Sequence, residues 1–119
     1  MTVMVRLTWA GITPQKYDAV LDLVGWERQP PKGAIYHVCS FDDAGICVTD
    51  VWASAADFQR FIDERLMPGV VQVGITGQPD VVITEAYRTF APAYQQITLP
   101  EQAKSKAGAS SRGKSRAKS

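Results

Sequence analysis

The sequence predicts an α+β domain of order β-α-β-β-α-β, with one four-stranded antiparallel sheet carrying two helices on one face. Three observations predict it. Residues 3 to 9 alternate apolar and polar side chains at period two, as a strand with one buried face requires. Two further runs rich in β-branched and aromatic residues, Ala34 to Phe41 and Ile46 to Trp52, flank Asp42-Asp43-Ala44-Gly45, which reads as the turn of a hairpin. The second of these runs passes straight into Ser54, a helix cap, and then into Phe58, Phe61, Ile62 and Leu66 at helical spacing.

In the first strand Val3, Val5, Leu7 and Trp9 share one side and Met4, Arg6 and Thr8 the other. Gly11 and Ile12 turn the chain, Thr13 caps, and Pro14 stands at the first helical position, where its missing N–H loses no helical bond. Tyr17, Val20, Leu21 and Val24 form the buried stripe of this helix, and Gly25 stops it. Trp26 to Gly33 is a loop that Pro30 and Pro31 hold extended. After the hairpin, Asp57 follows Ser54 by three residues, as in a capping box, and places a carboxylate at the helix N-terminus. Pro68 and Gly69 interrupt the second helix, and residues 70 to 76 read equally as a helical turn or an extended connection, because their β-branching makes propensity a poor guide. Gly77-Gln78-Pro79 is a turn, and Asp80 to Thr89 is the fourth strand.

This order is the split βαβ, or ferredoxin-like, arrangement. Both helices lie on one face, so the other would expose Val38, Thr49, Val51, Val82 and Ala86, more apolar surface than a single chain should leave in water. Pairing with a second sheet is the expected remedy, and a homodimer is predicted. The domain is expected over residues 1–91 and an extension over 92–100. Residues 101–119 lack any large apolar side chain and are expected to form a disordered tail.

A chain of 119 residues, 45% hydrophobic and 21% charged, is one globular domain's worth. The net charge of +1 conceals an asymmetry: residues 1–99 hold seven basic against eleven acidic side chains, and residues 100–119 hold six against one. An acidic domain argues against a nucleic-acid surface on the fold, while the basic tail suits weak, salt-sensitive contact with a polyanion. No apolar run approaches a membrane span and the first residues are unlike a secretory leader, so the expectation is a cytoplasmic protein without a membrane partner. Cys39 and Cys47 are expected to be reduced.

The segments Thr13-Pro14-Gln15-Lys16-Tyr17-Asp18-Ala19-Val20, Pro30 to Val38, Thr49-Asp50-Val51-Trp52-Ala53-Ser54 and Glu64-Arg65-Leu66-Met67-Pro68 carry a resemblance. Over roughly residues 3 to 90 the chain resembles small bacterial proteins of the dimeric α/β-barrel superfamily, near its antibiotic-biosynthesis-monooxygenase-like and uncharacterised members. The resemblance implies a ferredoxin-like dimeric barrel. For activity it implies a range: cofactor-independent monooxygenases, haem-degrading and haem-binding enzymes, muconolactone isomerases and members without known activity. In many relatives of the uncharacterised group the last strand carries a His close to where Tyr87 and Arg88 stand here, and its absence from this chain speaks against two-histidine chemistry.

The hairpin supplies a geometric argument independent of any resemblance. A turn of two or four residues places His37, Cys39, Asp50 and Trp52 on one face, and the four-residue turn sets His37 directly opposite Asp50; a turn of three or five residues swaps these parities. Cross-strand partners lie about 4.5–5.5 Å apart at Cβ, near enough for a carboxylate to accept the imidazole proton and fix its tautomer. Cys47 then points the other way, so the two cysteines cannot bond within the hairpin.

His37 is thereby the candidate general base, with Asp50 orienting it and Trp9, Cys39 and Trp52 lining a ligand pocket; the competing reading is a buried polar pair that satisfies itself in a core. One His, two separated Cys and scattered carboxylates assemble no metal spacing, so no metal is expected. Haem would have only His37 for an axial ligand, and flavin or nicotinamide would want a Gly-rich turn after a strand, so no cofactor is expected. The expected function is binding of a small apolar or aromatic ligand between helices and sheet, in the manner of a cofactor-independent monooxygenase. The alternative is a non-catalytic dimeric module whose tail contacts a polyanion such as nucleic acid.

Overall fold

The computed structural model describes residues 1–93. Residues Met1–Tyr87 form a compact unit, with elements β1 (Val3–Ala10), α1 (Pro14–Val24), β2 (Ala34–Phe41), β3 (Gly45–Trp52), α2 (Ala55–Phe61), a π-helical turn (Ile62–Leu66), α3 (Met67–Val73) and β4 (Asp80–Glu85). The four strands form one sheet in the order β2-β3-β1-β4, with every neighbouring pair antiparallel. The expected extension and tail lie, apart from residues 92 and 93, outside the described residues.

β1 and β3 are the central strands; alternation is strict along β1 and holds from Ile46 onward in β3. Val3, Val5, Leu7 and Trp9 are buried beneath the helices while Met4, Arg6, Thr8 and Ala10 face outward; in β3 the inward positions are Ile46, Val48, Asp50 and Trp52. Two clusters make the core: Leu7, Trp9, Ile12, Val20, Ile46, Val48 and Val70 in one, and Val3, Val5, Trp52 and Phe58 in the other. On the opposite face Tyr36, Val38 and Val82 remain about half exposed, at 45%, 50% and 54%, as the apolar pattern of that face requires.

The helix ends follow the capping chemistry. Thr13 accepts the Lys16 N–H through its hydroxyl, and Gly25 adopts the left-handed conformation (φ 72°) that closes α1 with its N–H on the Leu21 carbonyl. Ser54 accepts the Asp57 N–H at 3.0 Å, which is one half of a capping box. The Asp57 carboxylate does not return the bond; it pairs with Arg60 at 2.8 Å, and that guanidinium holds its carboxyl below the usual carboxylate range.

Two segments differ from the sequence-based expectation. Pro68 and Gly69 do not end the second helix, which continues as α3 to Val73. A proline inside an α-helix collides with the carbonyl four residues earlier, and the wider π-helical turn before Pro68, in which the Met67 N–H reaches the Ile62 carbonyl, relieves that clash without breaking the helix. Gly69 then permits close passage of α3 over α1, because a Cβ there would lie 2.5 Å from Val24 Cγ2. β4 ends at Glu85 rather than Thr89: Val3, its partner, is the first residue of β1, so the ladder has nothing further to pair with beyond the Ala86 N–H on the Thr2 carbonyl.

Candidate functional site

The hairpin turn has the four-residue form. Phe41 pairs with Ile46, and the Asp42 carboxylate accepts the N–H groups of Ala44 and Gly45, an arrangement that tightens the turn. His37 therefore lies directly opposite Asp50, and Cys39 opposite Val48, all on the face beneath the helices. Cys47 pairs with Ser40 and Thr8 on the other face, and both cysteines are free.

Asp50 is the one buried charged side chain among the described residues, with 8% of its surface exposed, and it sits on β3 between the two apolar clusters. Each carboxylate oxygen has a donor: His37 Nδ1–H lies 2.7 Å from Oδ1 and Trp52 Nε1–H lies 3.0 Å from Oδ2. A buried carboxylate left unpaired is expensive, and two donors in place are what make this position tolerable. With the His37 proton directed at Asp50 through Nδ1, neutral imidazole presents Nε2 as an acceptor. That acceptor receives the Tyr17 hydroxyl at 2.8 Å, so Tyr17, His37, Asp50 and Trp52 form one hydrogen-bonded chain from α1 across two strands.

An aromatic wall surrounds it. The Tyr17 and His37 rings are nearly parallel, 1° apart in plane and 6.2 Å between centroids. Trp26 meets Tyr17 edge-on at 5.7 Å and His37 at 5.9 Å, Phe41 meets Tyr17 at 5.9 Å, and Phe61 bridges Trp26 and Trp52 at 6.2 and 5.6 Å. Burial raises the Tyr17 phenol above its ordinary value, and the adjacent Cys39 thiol, Glu27 and Asp50 push in the same direction. The His37 side chain is 35% exposed where Asp50 is 11%, so the chain runs from the interior toward solvent at the edge strand β2.

Of the residues that the sequence nominated, His37, Asp50, Trp52 and Cys39 are brought together. Trp9 is placed apart: it lies on the same face but four residues along β1 from Val5, the partner of Asp50, which is about 13 Å of strand. Its indole N–H serves the Thr76 carbonyl at 3.3 Å, so it closes the far end of the core and does not wall the His37 site. Tyr17 and Trp26 are the additions. Tyr17 belongs to the buried stripe of α1, and its phenol, facing a core, needed a polar partner; that requirement was the available signal. Trp26 had no such signal, because it reaches the site through a tight turn in which the N–H groups of Arg28 and Gln29 return to the Gly25 carbonyl.

Among the described residues no group of three or more His, Cys, Asp or Glu is placed to hold a metal ion, and no helix is long and apolar enough to cross a membrane.

No family model and no curated protein sequence matches the chain. Solved structures do match. SnoaB from Streptomyces nogalater, a cofactor-independent oxygenase, is 14% identical with a TM-score of 0.54, covering 74% of this chain and 94% of its own. A protein of unknown function from Nitrosomonas europaea is 14% identical with a TM-score of 0.56 over 77% and 95% of the two chains. Rv0793 from Mycobacterium tuberculosis is 15% identical with a TM-score of 0.55 over 76% and 100%. At such identities the likeness is one of backbone, and it establishes that the chain carries the ferredoxin-like βαββαβ fold that these proteins share.

Proposed function

We propose that the protein binds a small, largely apolar aromatic molecule between the helices and the sheet and removes a proton from it, as a cofactor-independent monooxygenase-type enzyme. His37 is the general base and Asp50 its orienting partner, with Trp52 and Cys39 beside them. The observation that carries the reading is the 2.7 Å bond from His37 Nδ1 to a buried carboxylate, which holds the sole imidazole in one tautomer and supports the imidazolium formed when it takes a proton. Deprotonation raises the electron density of an aromatic ligand and makes it a better reductant toward dioxygen, which is what a histidine base can contribute to oxygenation. The aromatic rings around His37 suit such a ligand, and the shared fold with a cofactor-independent oxygenase supports the same class. We also read the functional form as a homodimer joined through the exposed apolar face of the sheet.

Substitution His37→Gln tests the base. The glutamine amide can still donate to Asp50, so the protein should stay folded with at most a modest drop in melting temperature, while ligand turnover falls about 10²-fold or more. Crystals soaked with aromatic compounds should show density beside His37. A variant that unfolds, with no compound altering Trp52 fluorescence in the parent protein, would make the pair a core feature.

A further inference from the structure

The hydrogen-bond inventory of the site leaves a single outlet. Both Asp50 oxygens are engaged, by His37 and Trp52; His37 Nδ1 is engaged by Asp50; and His37 Nε2, the nitrogen that must take a proton if His37 is a base, is covered by the Tyr17 hydroxyl at 2.8 Å. A ligand therefore meets not a free imidazole lone pair but the Tyr17 oxygen, which gives its one proton to Nε2 and keeps two lone pairs, one beside the Cys39 thiol and one left to accept from a ligand. Tyr17 is half-buried among Trp26, Phe41 and His37, on the face of the sheet that carries the rest of the chain.

We propose that Tyr17 is a catalytic residue of this site, the atom that first meets the ligand, and that it relays the ligand's proton to His37. This rests on His37 acting as a base. The balance is simple: the bond between the ligand and its acidic hydrogen breaks and leaves its electron pair on the ligand, that proton joins the Tyr17 oxygen, and the proton already on Tyr17 passes to Nε2. The products are a ligand anion and an imidazolium held against Asp50, with Tyr17 neutral before and after. Burial, which raises the phenol above its ordinary value, agrees with this, because a tyrosinate would have no proton to pass on.

Two probes test it on the whole protein. Diethyl pyrocarbonate acylates an unprotonated imidazole nitrogen, and this chain has a single His, so the rate reports directly on Nε2. Tyr17→Phe keeps the ring and removes the hydroxyl, and it should speed acylation about five-fold, the weight of one hydrogen bond. An unchanged rate would show that Tyr17 does not cover Nε2 in solution and would overturn the proposal.

The second probe is 5-nitrobenzisoxazole, an apolar aromatic carbon acid whose C–H is removed by a base while its N–O bond opens to a coloured cyanophenolate. A relay predicts that Tyr17→Phe lowers this rate about ten-fold or more even though Nε2 is now uncovered. A rate that holds or rises in Tyr17→Phe but collapses in His37→Gln would sink the relay and leave His37 as a direct base. A rate indifferent to His37→Gln would remove both. Should Tyr17→Phe fail to fold, the imidazole ¹⁵N spectrum of the unaltered protein decides: Nε2 must resonate as a hydrogen-bonded acceptor, and a free acceptor there refutes the relay.

Discussion

Asp50 occupies a place in β3 where the neighbouring inward positions are Val48 and Trp52 and the cross-strand partner on β1 is Val5. Its two hydrogen bonds explain how a carboxylate persists there, and they also make His37 and Trp52 interdependent, since loss of either strands an oxygen at a cost of about 1–3 kcal/mol. The opposition of His37 and Asp50 was legible in the chain as the outcome of a four-residue turn, and the structure selects that turn over the alternatives of two, three or five residues. Tyr17 was not, because its meeting with His37 depends on where α1 lies over the sheet. A pH prediction belongs to this residue. The fold raises the Tyr17 phenol above the ordinary value of 10.0, so it favours the neutral form. The stability that this contributes is fully present below pH 10 and is lost as the pH climbs from there toward the folded-state value. Thermal denaturation should accordingly show the parent protein losing stability above pH 10 more steeply than Tyr17→Phe; parallel slopes would mean that the phenol is not perturbed.

At the level of elements, the hairpin and the second helix were set by different physics. The register of β2 and β3 follows from a four-residue turn whose Asp42 side chain satisfies two backbone donors locally, and nothing distant is required. The run from Ala55 to Val73 needed more. Pro68 in isolation argues for a helix end, yet the π-helical turn absorbs it, and Arg65 from that turn donates to the Val24 carbonyl at the end of α1 at 3.2 Å. Packing of α3 against α1 thus holds a helix that local propensity alone would have ended. Gly69→Ala tests this contact. Alanine gains at most about 1 kcal/mol in helix propensity, while a Cβ at 2.5 Å from Val24 must displace it at an overpacking cost of about 1–3 kcal/mol. Net destabilisation is expected in chemical denaturation, and Val24→Ala should restore part of it in the double variant. Additive effects of the two substitutions would show that the helices do not meet there.

Among the described residues, the helix-covered face of the sheet is packed and the other is not. Arg6, on the central strand, stands on that open face opposite Thr49 of β3 and Val82 of β4, with Met4 beside Val51 on the next outward position. An apolar face of four strands that also carries a guanidinium suits a self-complementary partner, in which polar groups are paired and valines covered. Sedimentation at micromolar concentration should give a dimer for the parent protein. Val38→Asp should weaken association about ten-fold or more, because it places a carboxylate in the proposed interface on a strand that does not neighbour Arg6. A monomeric parent would refute the sheet-to-sheet reading.

The sequence by itself determined the order of strands and helices, the inward and outward faces of β1 and β3, and the helix caps at Thr13 and Ser54; it set His37 opposite Asp50 only if the hairpin turn took its four-residue form, which the structure shows. These rest on periodicity, capping and turn length, all interactions between residues close in the chain or locked by one tight turn. Only the tertiary structure decided that Tyr17 and Trp26 join His37, that Trp9 does not, that the helix runs through Pro68, and that β4 stops at Glu85. Each of those depends on where an element settles against others distant in sequence: α1 over β2, α3 over α1, and β1 ending before β4 could pair further.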